Sequence, residues 1–239
     1  MKKLSSRAIT ALTNAALALV LVVMGAVCFL PAAKEASSVN EKVYYHGSSE
    51  DGVSLMINVY WGTEEVYSIL DILDEYDAAA TFFLGGSWAD DNTDCVKEIA
   101  ARGHEIGSHG YFHRDHDKLN YQQNLEEIET SVRFLNLVTG GEVKLFAPPS
   151  GAYNDDTVAA AEQLGLRTVM WSRDTVDWRD KDEDVCYSRA TENIGGGDLI
   201  LMHPMEHTVK ALPRILEYYR SNSLRTVTVG KNIGLESEE

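Results

Sequence analysis

Short apolar runs alternate along the chain with longer segments of helical periodicity, and this alternation restricts the fold more than any other feature of the sequence. After Thr63, for example, Val66, Ile69, Leu70 and Leu73 recur at helical spacing. Strands that alternate with helices predict a parallel sheet with the helices packed outside it. The seven runs that we predict as strands lie at residues 53–59, 81–84, 105–107, 145–147, 168–171, 199–203 and 226–229. Seven strands fit a slightly irregular α/β barrel or an open doubly wound sheet.

Several helices can be placed from their capping residues and breakers. Asn154 is predicted to cap a helix whose first turn is acidic, where the helix dipole favours negative side chains. We also predict a helix over residues 184–194. A further helix is predicted over residues 208–220 in spite of Pro213.

The chain of 239 residues carries a net charge of −16, and this charge is unevenly distributed. Residues 1–38 carry +3, so the remainder carries −19. An acidic body repels phosphates, which argues against nucleic acid as a partner. Solubility alone explains the charge equally well. Behind the basic start, about 200 residues are enough for one α/β domain with a full core.

The amino-terminal segment has the pattern of an export signal. A basic start precedes a charge-free run over residues 8–33. A positive flank followed by an apolar segment directs the rest of the chain out of the cytoplasm. We therefore predict that residues 1–38 form a signal or membrane anchor with its tether, and that residues 39–239 form an extracytoplasmic domain. An uncleaved anchor and a signal cleaved near Ala33 both fit the pattern, so the body is either membrane-anchored or secreted.

The body contains two cysteines, Cys95 and Cys186. They could pair in an oxidising compartment, but two cysteines do not make a disulfide framework. Two half-buried free thiols are the preferred interpretation.

Polar residues follow several predicted strands, where a parallel α/β fold builds its functional site. His109 and His113 are four residues apart, so a helical turn or compact loop places both imidazoles on one side. Neutral imidazoles at this spacing suit Zn²⁺ or a similar divalent ion, and the alternative is an ordinary polar loop. His203 ends an apolar strand, where an imidazole can act as a general acid or can simply be a core histidine.

Two further segments could border a site. Asp177 could orient and charge-stabilise a histidine while Trp178 supplies an apolar wall. A loop aspartate beside a core tryptophan is the alternative. Pro149 and Tyr153 belong to a stiff loop that either shapes one side of a groove or merely ends a strand.

Taken in order, these pieces resemble the polysaccharide deacetylases with the NodB-homology domain, which form carbohydrate esterase family four. The resemblance covers about residues 50–232. Its landmarks are Ala80-Thr-Phe-Phe-Leu-Gly85, Arg102-Gly-His-Glu-Ile-Gly-Ser-His109, Trp171-Ser-Arg-Asp-Thr-Val-Asp-Trp178 and Leu199-Ile-Leu-Met-His203. The stretch Asn58-Val-Tyr-Trp61-Gly62 is similar to the sporulation-type branch found in endospore-forming bacteria. The resemblance implies a distorted (β/α)7 barrel.

The same resemblance implies a reaction and the residues that carry it. The family removes acetyl groups from N-acetylated sugars of peptidoglycan, chitin or related polymers, and uses a divalent metal, here expected to be Zn²⁺ or Co²⁺, to activate water. His109 and His113 match its metal ligands, His203 its general acid and Asp177 the residue that tunes this acid. The residues expected to contact substrate are Trp61, Pro149, Tyr153 and Trp178.

Three positions depart from the family pattern. The usual first motif carries a catalytic base followed by a metal-binding aspartate, and this chain has Asn58 and Val59 there. The arginine that normally pairs with the base is replaced by Ala147. A buried arginine without its carboxylate would be costly, so these departures fit one coherent change. Loss of a general base typically costs about 10²–10⁴-fold in rate, and the metal is expected to be weakly bound or absent.

Two functions follow from this pattern. The first is an envelope deacetylase that is weakened or uses another base, for which Glu64, Asp115 and Asp174 are candidates. The second is a non-catalytic relative that binds envelope glycan or a partner protein through the old cleft. The predicted partners are peptidoglycan or another N-acetylated glycan, and the membrane through the amino-terminal segment, but not nucleic acid. A purely structural envelope protein, the third possibility, would not need the site residues His109, His113, Asp177 and His203.

Overall fold

The computed structural model describes residues 42–235. The predicted anchor and tether at residues 1–38 lie outside the described residues, and the boundary after residue 38 stays a prediction. Within the described part, every helix falls short of the length and apolarity that a membrane crossing requires.

The described residues contain one parallel sheet of nine strands. The strands are β1 (Val43–Tyr44), β2 (Gly52–Val59), β3 (Thr81–Leu84), β4 (Glu105–Ser108), β5 (Leu145–Phe146), β6 (Arg167–Val169), β7 (Arg173–Asp174), β8 (Leu199–Met202) and β9 (Arg225–Thr226). Their order is β1-β6-β5-β4-β3-β2-β8-β7, and β9 pairs with the first residues of β2. The seven strands β2 to β8 form a curled, incompletely closed barrel, which confirms the predicted distorted (β/α)7 architecture.

Helices cover the outside of this sheet. In the described residues they are α1 (Thr63–Glu75), α2 (Gly86–Asp91), α3 (Thr93–Ala101), α4 (Tyr121–Thr139), α5 (Asp155–Gln163), α6 (Asp177–Asp180), α7 (Glu183–Thr191), α8 (Glu206–Ser221) and α9 (Val229–Asn232). The main core lies between the sheet and these helices, and a smaller apolar cluster around Met56 and Phe83 fills the inside of the curl.

The central strand β2 shows how the sequence places the site. All eight of its residues are buried, because β3 and β8 pair with it on either side. Its odd-numbered residues from Val53 to Val59 belong to the outer core, whereas Met56 belongs to the inner cluster. Since side chains alternate along a strand, Asn58 lies on the inner face with Met56, and Val59 faces the helices.

Most predicted elements are confirmed, and the differences occur at short elements. Asn154 caps α5 with a full capping box, and α8 continues through Pro213. The predicted strand over residues 226–229 is wrong in part, because the strand ends at Thr226 and Thr228 then caps a helix. The predicted helix over residues 184–194 ends at Thr191. Strands β1 and β7 and helices α2, α6 and α9 were not predicted.

Both cysteines of the described region are free, which confirms the preferred interpretation. They are more deeply buried than expected, with exposed fractions of 2% for Cys95 and 0% for Cys186. Burial raises the pKa of Cys95 to about 11 and that of Cys186 to about 12, so both remain unreactive thiols at neutral pH.

Candidate active site

A cavity of about 330 Å³ lies at the carboxyl ends of the barrel strands. It is lined by Asn58, Tyr60, His109, His113, Ser150, Trp171, Asp174, Trp178, Leu201 and His203. A wider depression of about 710 Å³ lies between β7 and α7 and shares only Asp174 with this cavity. The wider depression contains no histidine, so the smaller cavity is the candidate site.

His109 follows β4 directly and is almost fully enclosed, with 1% of its surface exposed. Its Nδ1 lies 2.7 Å from the carbonyl oxygen of Ala147. A carbonyl can only accept, so Nδ1 carries the proton and the Nε2 lone pair is left available. Burial holds the pKa of His109 well below its usual value, and the neighbouring His113 lowers it further. His109 is therefore neutral at physiological pH.

His113 is held beside His109 by an unusual loop. Its backbone is left-handed, with φ of 53°, and Gly110 in the same loop has φ of 71°. The carboxylate of the buried Glu127 accepts the Phe112 backbone N–H at 2.5 Å and anchors this loop on α4. The two imidazole centroids lie 5.1 Å apart. Burial also lowers the pKa of His113, which favours the neutral form that binds metals.

The two imidazoles fit a divalent ion only in part. In the described residues, no third His, Cys, Asp or Glu joins them to make a metal-binding group. Catalytic zinc sites usually have three protein ligands, so this donor set is one ligand short. The neutral state of His109 and His113 nevertheless supplies the right chemistry for the two ligands that are present.

His203 and Asp177 form a well-ordered pair beside the cavity. Asp177 Oδ1 accepts a hydrogen bond from His203 Nδ1 at 2.8 Å, and its Oδ2 accepts from the His203 backbone N–H at 2.7 Å. Thr208 Oγ1 also donates to Oδ2 at 2.8 Å. Asp177 is 1% exposed, so this carboxylate acts on His203 and not on solvent. The arrangement fixes the ring and leaves Nε2 for proton transfer.

The two aromatic residues that follow β2, Tyr60 and Trp61, stack on His113 and His203. Tyr60 stacks on His113 with centroids 3.6 Å apart. Trp61 lies parallel to His203 with centroids 5.5 Å apart, and its indole N–H points to the Met205 sulfur at 3.3 Å. Trp61 thus packs against His203, but it does not line the cavity. Tyr60 was not predicted as a site residue, although it lies within the stretch that carried the resemblance.

Asn58 occupies the inner end of β2, at the position where the sequence resemblance leads us to expect the base. It is 3% exposed, and its side-chain Oδ1 is buried without a hydrogen-bond partner among the described residues. A buried acceptor left unsatisfied costs about 1–3 kcal/mol. Val59, by contrast, packs in the outer core, so its side chain lies away from the cavity. Ala147 is fully buried in the inner cluster.

Only one of the three candidate replacement bases reaches the cavity. Glu64 is exposed in the first turn of α1. Asp115 pairs with Lys118 at 2.5 Å, and this hydrogen bond lowers its pKa. Asp174 lines the cavity, but its Oδ1 accepts the Val176 backbone N–H at 2.8 Å.

Of the remaining residues predicted to contact substrate, only Trp178 lines the cavity. Trp178 is 49% exposed and lines the cavity. Pro149 is buried next to Gly110, and the Tyr153 hydroxyl pairs with that of Tyr45 at 2.6 Å. Neither Pro149 nor Tyr153 lines the cavity, and their contact with substrate stays a prediction. Trp171, Ser150 and Leu201 line it without having been singled out.

The chain is similar to known proteins over most of the described region. The family profile described as polysaccharide deacetylase matches residues 47–169. YlxY of Bacillus subtilis is 35% identical over 79% of this chain and 60% of its own length. A peptidoglycan-N-acetylglucosamine deacetylase of Bacillus cereus is 32% identical over 71% of this chain and 83% of its own length. This chain thus spans about 60% of the first two curated relatives that it matches.

A solved structure adds a comparison at the level of the fold. The crystal structure of a CE4 family pseudoenzyme from Bacillus anthracis superposes with a TM-score of 0.78 at 32% identity, over 80% of this chain and 68% of that one. A mutant of that protein, described as having restored enzymatic activity, superposes equally well at 31% identity.

Proposed function

The chain belongs to the polysaccharide deacetylase family, and on that basis we propose that it binds an N-acetylated amino-sugar polymer, such as peptidoglycan, and removes N-acetyl groups only weakly. One observation carries the proposal. The two neutral imidazoles and the His203–Asp177 pair meet at one cavity, but Asn58 stands where a proton acceptor is needed.

The side chains present account for part of a deacetylation reaction. His203, oriented by Asp177, would give a proton to the departing amine as general acid. His109 and His113 would hold a divalent ion, which when bound polarises the acetyl carbonyl and activates water. Asn58 is a neutral amide and cannot take a proton from that water. Without a base, the rate is expected to fall by about 10²–10⁴-fold.

The alternative is glycan binding without any catalysis. The likeness to a pseudoenzyme, and the restored activity described for a mutant of that protein, support this alternative. It shares the cavity and the glycan with the first proposal, and only acetate release separates the two.

Metal titration tests the assignment of the two imidazoles. We expect the wild-type protein to purify with less than one equivalent of metal and to bind Zn²⁺ weakly in isothermal titration calorimetry, because the site is one ligand short. His109→Ala should remove this binding. The exposed His46 lies outside the cavity, so His46→Ala is the matched control and should bind like the wild type. Tight stoichiometric binding that survives both His109→Ala and His113→Ala would overturn the assignment.

We further propose that the domain works outside the cytoplasm, anchored in the membrane or secreted. The basic start and the charge-free run of residues 8–33 support this proposal. An alkaline phosphatase reporter, which needs an oxidising compartment, should be active when fused after Glu239. Replacing the basic residues Lys2, Lys3 and Arg7 by glutamate should reduce that activity. Equal activity of a cytoplasm-only reporter would contradict the proposed location.

A further inference from the structure

We propose that Asn58 recognises the intact N-acetyl group: its side-chain amide hydrogen-bonds the acetamido group of the bound sugar, so the cavity distinguishes acetylated from deacetylated glycan. This inference rests on the proposed function, because it requires the glycan to occupy the cavity. In this view, the residue at position 58 recognises the acetamido group instead of abstracting a proton.

The first argument is that the amide of Asn58 has no partner of its own. The backbone around it pairs with β3 through Phe83 and with β8 through Met202, so the strand itself is satisfied. Its Oδ1 is buried and unpartnered among the described residues. Nearly all buried polar side-chain atoms in proteins have a hydrogen-bond partner, so an orphan at the wall of a cavity points to a donor supplied by a ligand. The N–H of an acetamido group is such a donor.

The second argument is that the neighbouring polar groups are each already bonded to the protein through one atom. His109 Nδ1 is held by the Ala147 carbonyl, and His203 Nδ1 is held by Asp177. Asp174 Oδ1 accepts the Val176 backbone N–H. Among the described residues that line the cavity, the oxygen of Asn58 is therefore the fully buried acceptor that has no donor.

The third argument concerns what surrounds the amide. Tyr60, Trp171 and Trp178 contribute aromatic walls to the cavity, which suit the acetyl methyl group and the apolar face of a sugar ring. A deacetylated sugar brings an ammonium group, which loses hydration in such a cavity and gains no amide partner. The net charge of −16 attracts that ammonium at long range, so a preference for the acetylated sugar can come only from contacts inside the cavity.

Calorimetry with two matched oligosaccharides tests the inference. The probes are the N-acetylglucosamine tetramer and the fully deacetylated glucosamine tetramer, titrated into the full chain in EDTA and physiological salt. We expect the acetylated tetramer to bind at least tenfold more tightly. Asn58→Leu should abolish this difference and raise the melting temperature of the free protein, because it removes an unsatisfied buried amide. Asn58→Ala carries the same test if the leucine variant does not fold.

Ser54→Ala is the matched control. Ser54 lies on the same strand and the same face, but its hydroxyl is bonded to the Thr228 carbonyl and to Asn232, away from the cavity. This variant should lower the melting temperature and keep the preference for the acetylated tetramer.

The outcomes separate this inference from the proposed function. Equal binding of both tetramers, or a preference that survives at Asn58→Leu and Asn58→Ala, would overturn the inference while glycan binding stands. Binding of the acetylated tetramer only after Zn²⁺ is added would overturn it as well, since a metal would then hold the acetyl group. If neither tetramer binds under any of these conditions, the proposed function fails together with the inference.

Discussion

At the scale of single residues, the adjacent positions 58 and 59 place their side chains on opposite faces of β2. By the resemblance drawn from the sequence, Asn58 and Val59 stand at two positions where aspartates are expected, which suggests one coherent change. The structure separates them, because Asn58 lies on the inner face of β2 and Val59 packs in the outer core. A carboxylate at position 58 would meet the cavity, whereas one at position 59 would meet apolar side chains.

This difference predicts opposite consequences for the two substitutions. Val59→Asp should lower the free energy of unfolding by about 3 kcal/mol or more, because it buries a charge without a partner. Val59→Thr, which has the same shape but no charge, should cost clearly less. Urea denaturation of both variants measures the effect. Equal stability of Val59→Asp and wild type would show that residue 59 turns its side chain towards the cavity.

A second prediction for a single residue concerns His104, which lies directly before β4 and outside the cavity. It is 8% exposed, packs 5.4 Å from the Phe82 ring, and has no hydrogen-bond partner for either ring nitrogen among the described residues. Burial lowers its pKa in the folded state. In the unfolded chain the imidazole takes up a proton near pH 6.5, as an unperturbed histidine does. Acid therefore favours the unfolded state.

The free energy of unfolding should thus fall as the pH drops from about 6.5, by at most about 1.4 kcal/mol per pH unit for this one group. His104→Leu should flatten that slope. Denaturation at pH 7 and at pH 5 measures this slope. His46→Ala is the control, because His46 is exposed. An unchanged slope in His104→Leu would mean that other groups carry the pH dependence.

At the scale of secondary-structure elements, the strands are the predictable part of the site. The sequence predicts that His109 and His203 follow buried parallel strands, and this places both at the same edge of the sheet. The connecting loops are less predictable. The left-handed backbone at His113 and the stacking of Tyr60 on its ring depend on contacts between distant segments, which no local pattern encodes.

The residue that caps α5 also connects this helix to the loop around residue 117. Asn154 caps α5 by accepting the Thr157 backbone N–H, and its Nδ2 donates to the carbonyls of Asp117 and Leu119 at 3.0 and 3.2 Å. Asp182 caps α7 without such a connection. Asp182→Ala should cost about 1 kcal/mol, the usual value of a cap. Asn154→Ala should cost about 1 kcal/mol more and increase hydrogen exchange in the loop around residue 117. Equal costs and unchanged exchange would show that the two carbonyl contacts add nothing.

At the scale of the whole molecule, the pattern of the sequence predicts the barrel and the meeting of its histidines but not the balance between binding and catalysis. Alternation of strands and helices requires helices outside a parallel sheet, and this is observed. Whether Asp174 could act as the base depends on its surroundings in the cavity wall. One of its carboxylate oxygens already accepts a hydrogen bond from the Val176 backbone N–H. Such three-dimensional detail is absent from any linear pattern.

Acetate release from N-acetylglucosamine oligomers, measured side by side for the wild type and Asn58→Asp with added Zn²⁺, tests the central claim most directly. We predict that Asn58→Asp releases acetate at least about tenfold faster, because it returns a proton acceptor to the cavity. His203→Ala in that background should remove the gain, since the departing amine would lack its acid. A wild type as fast as Asn58→Asp would contradict the account, and so would a folded, metal-binding Asn58→Asp that releases no more acetate than the wild type.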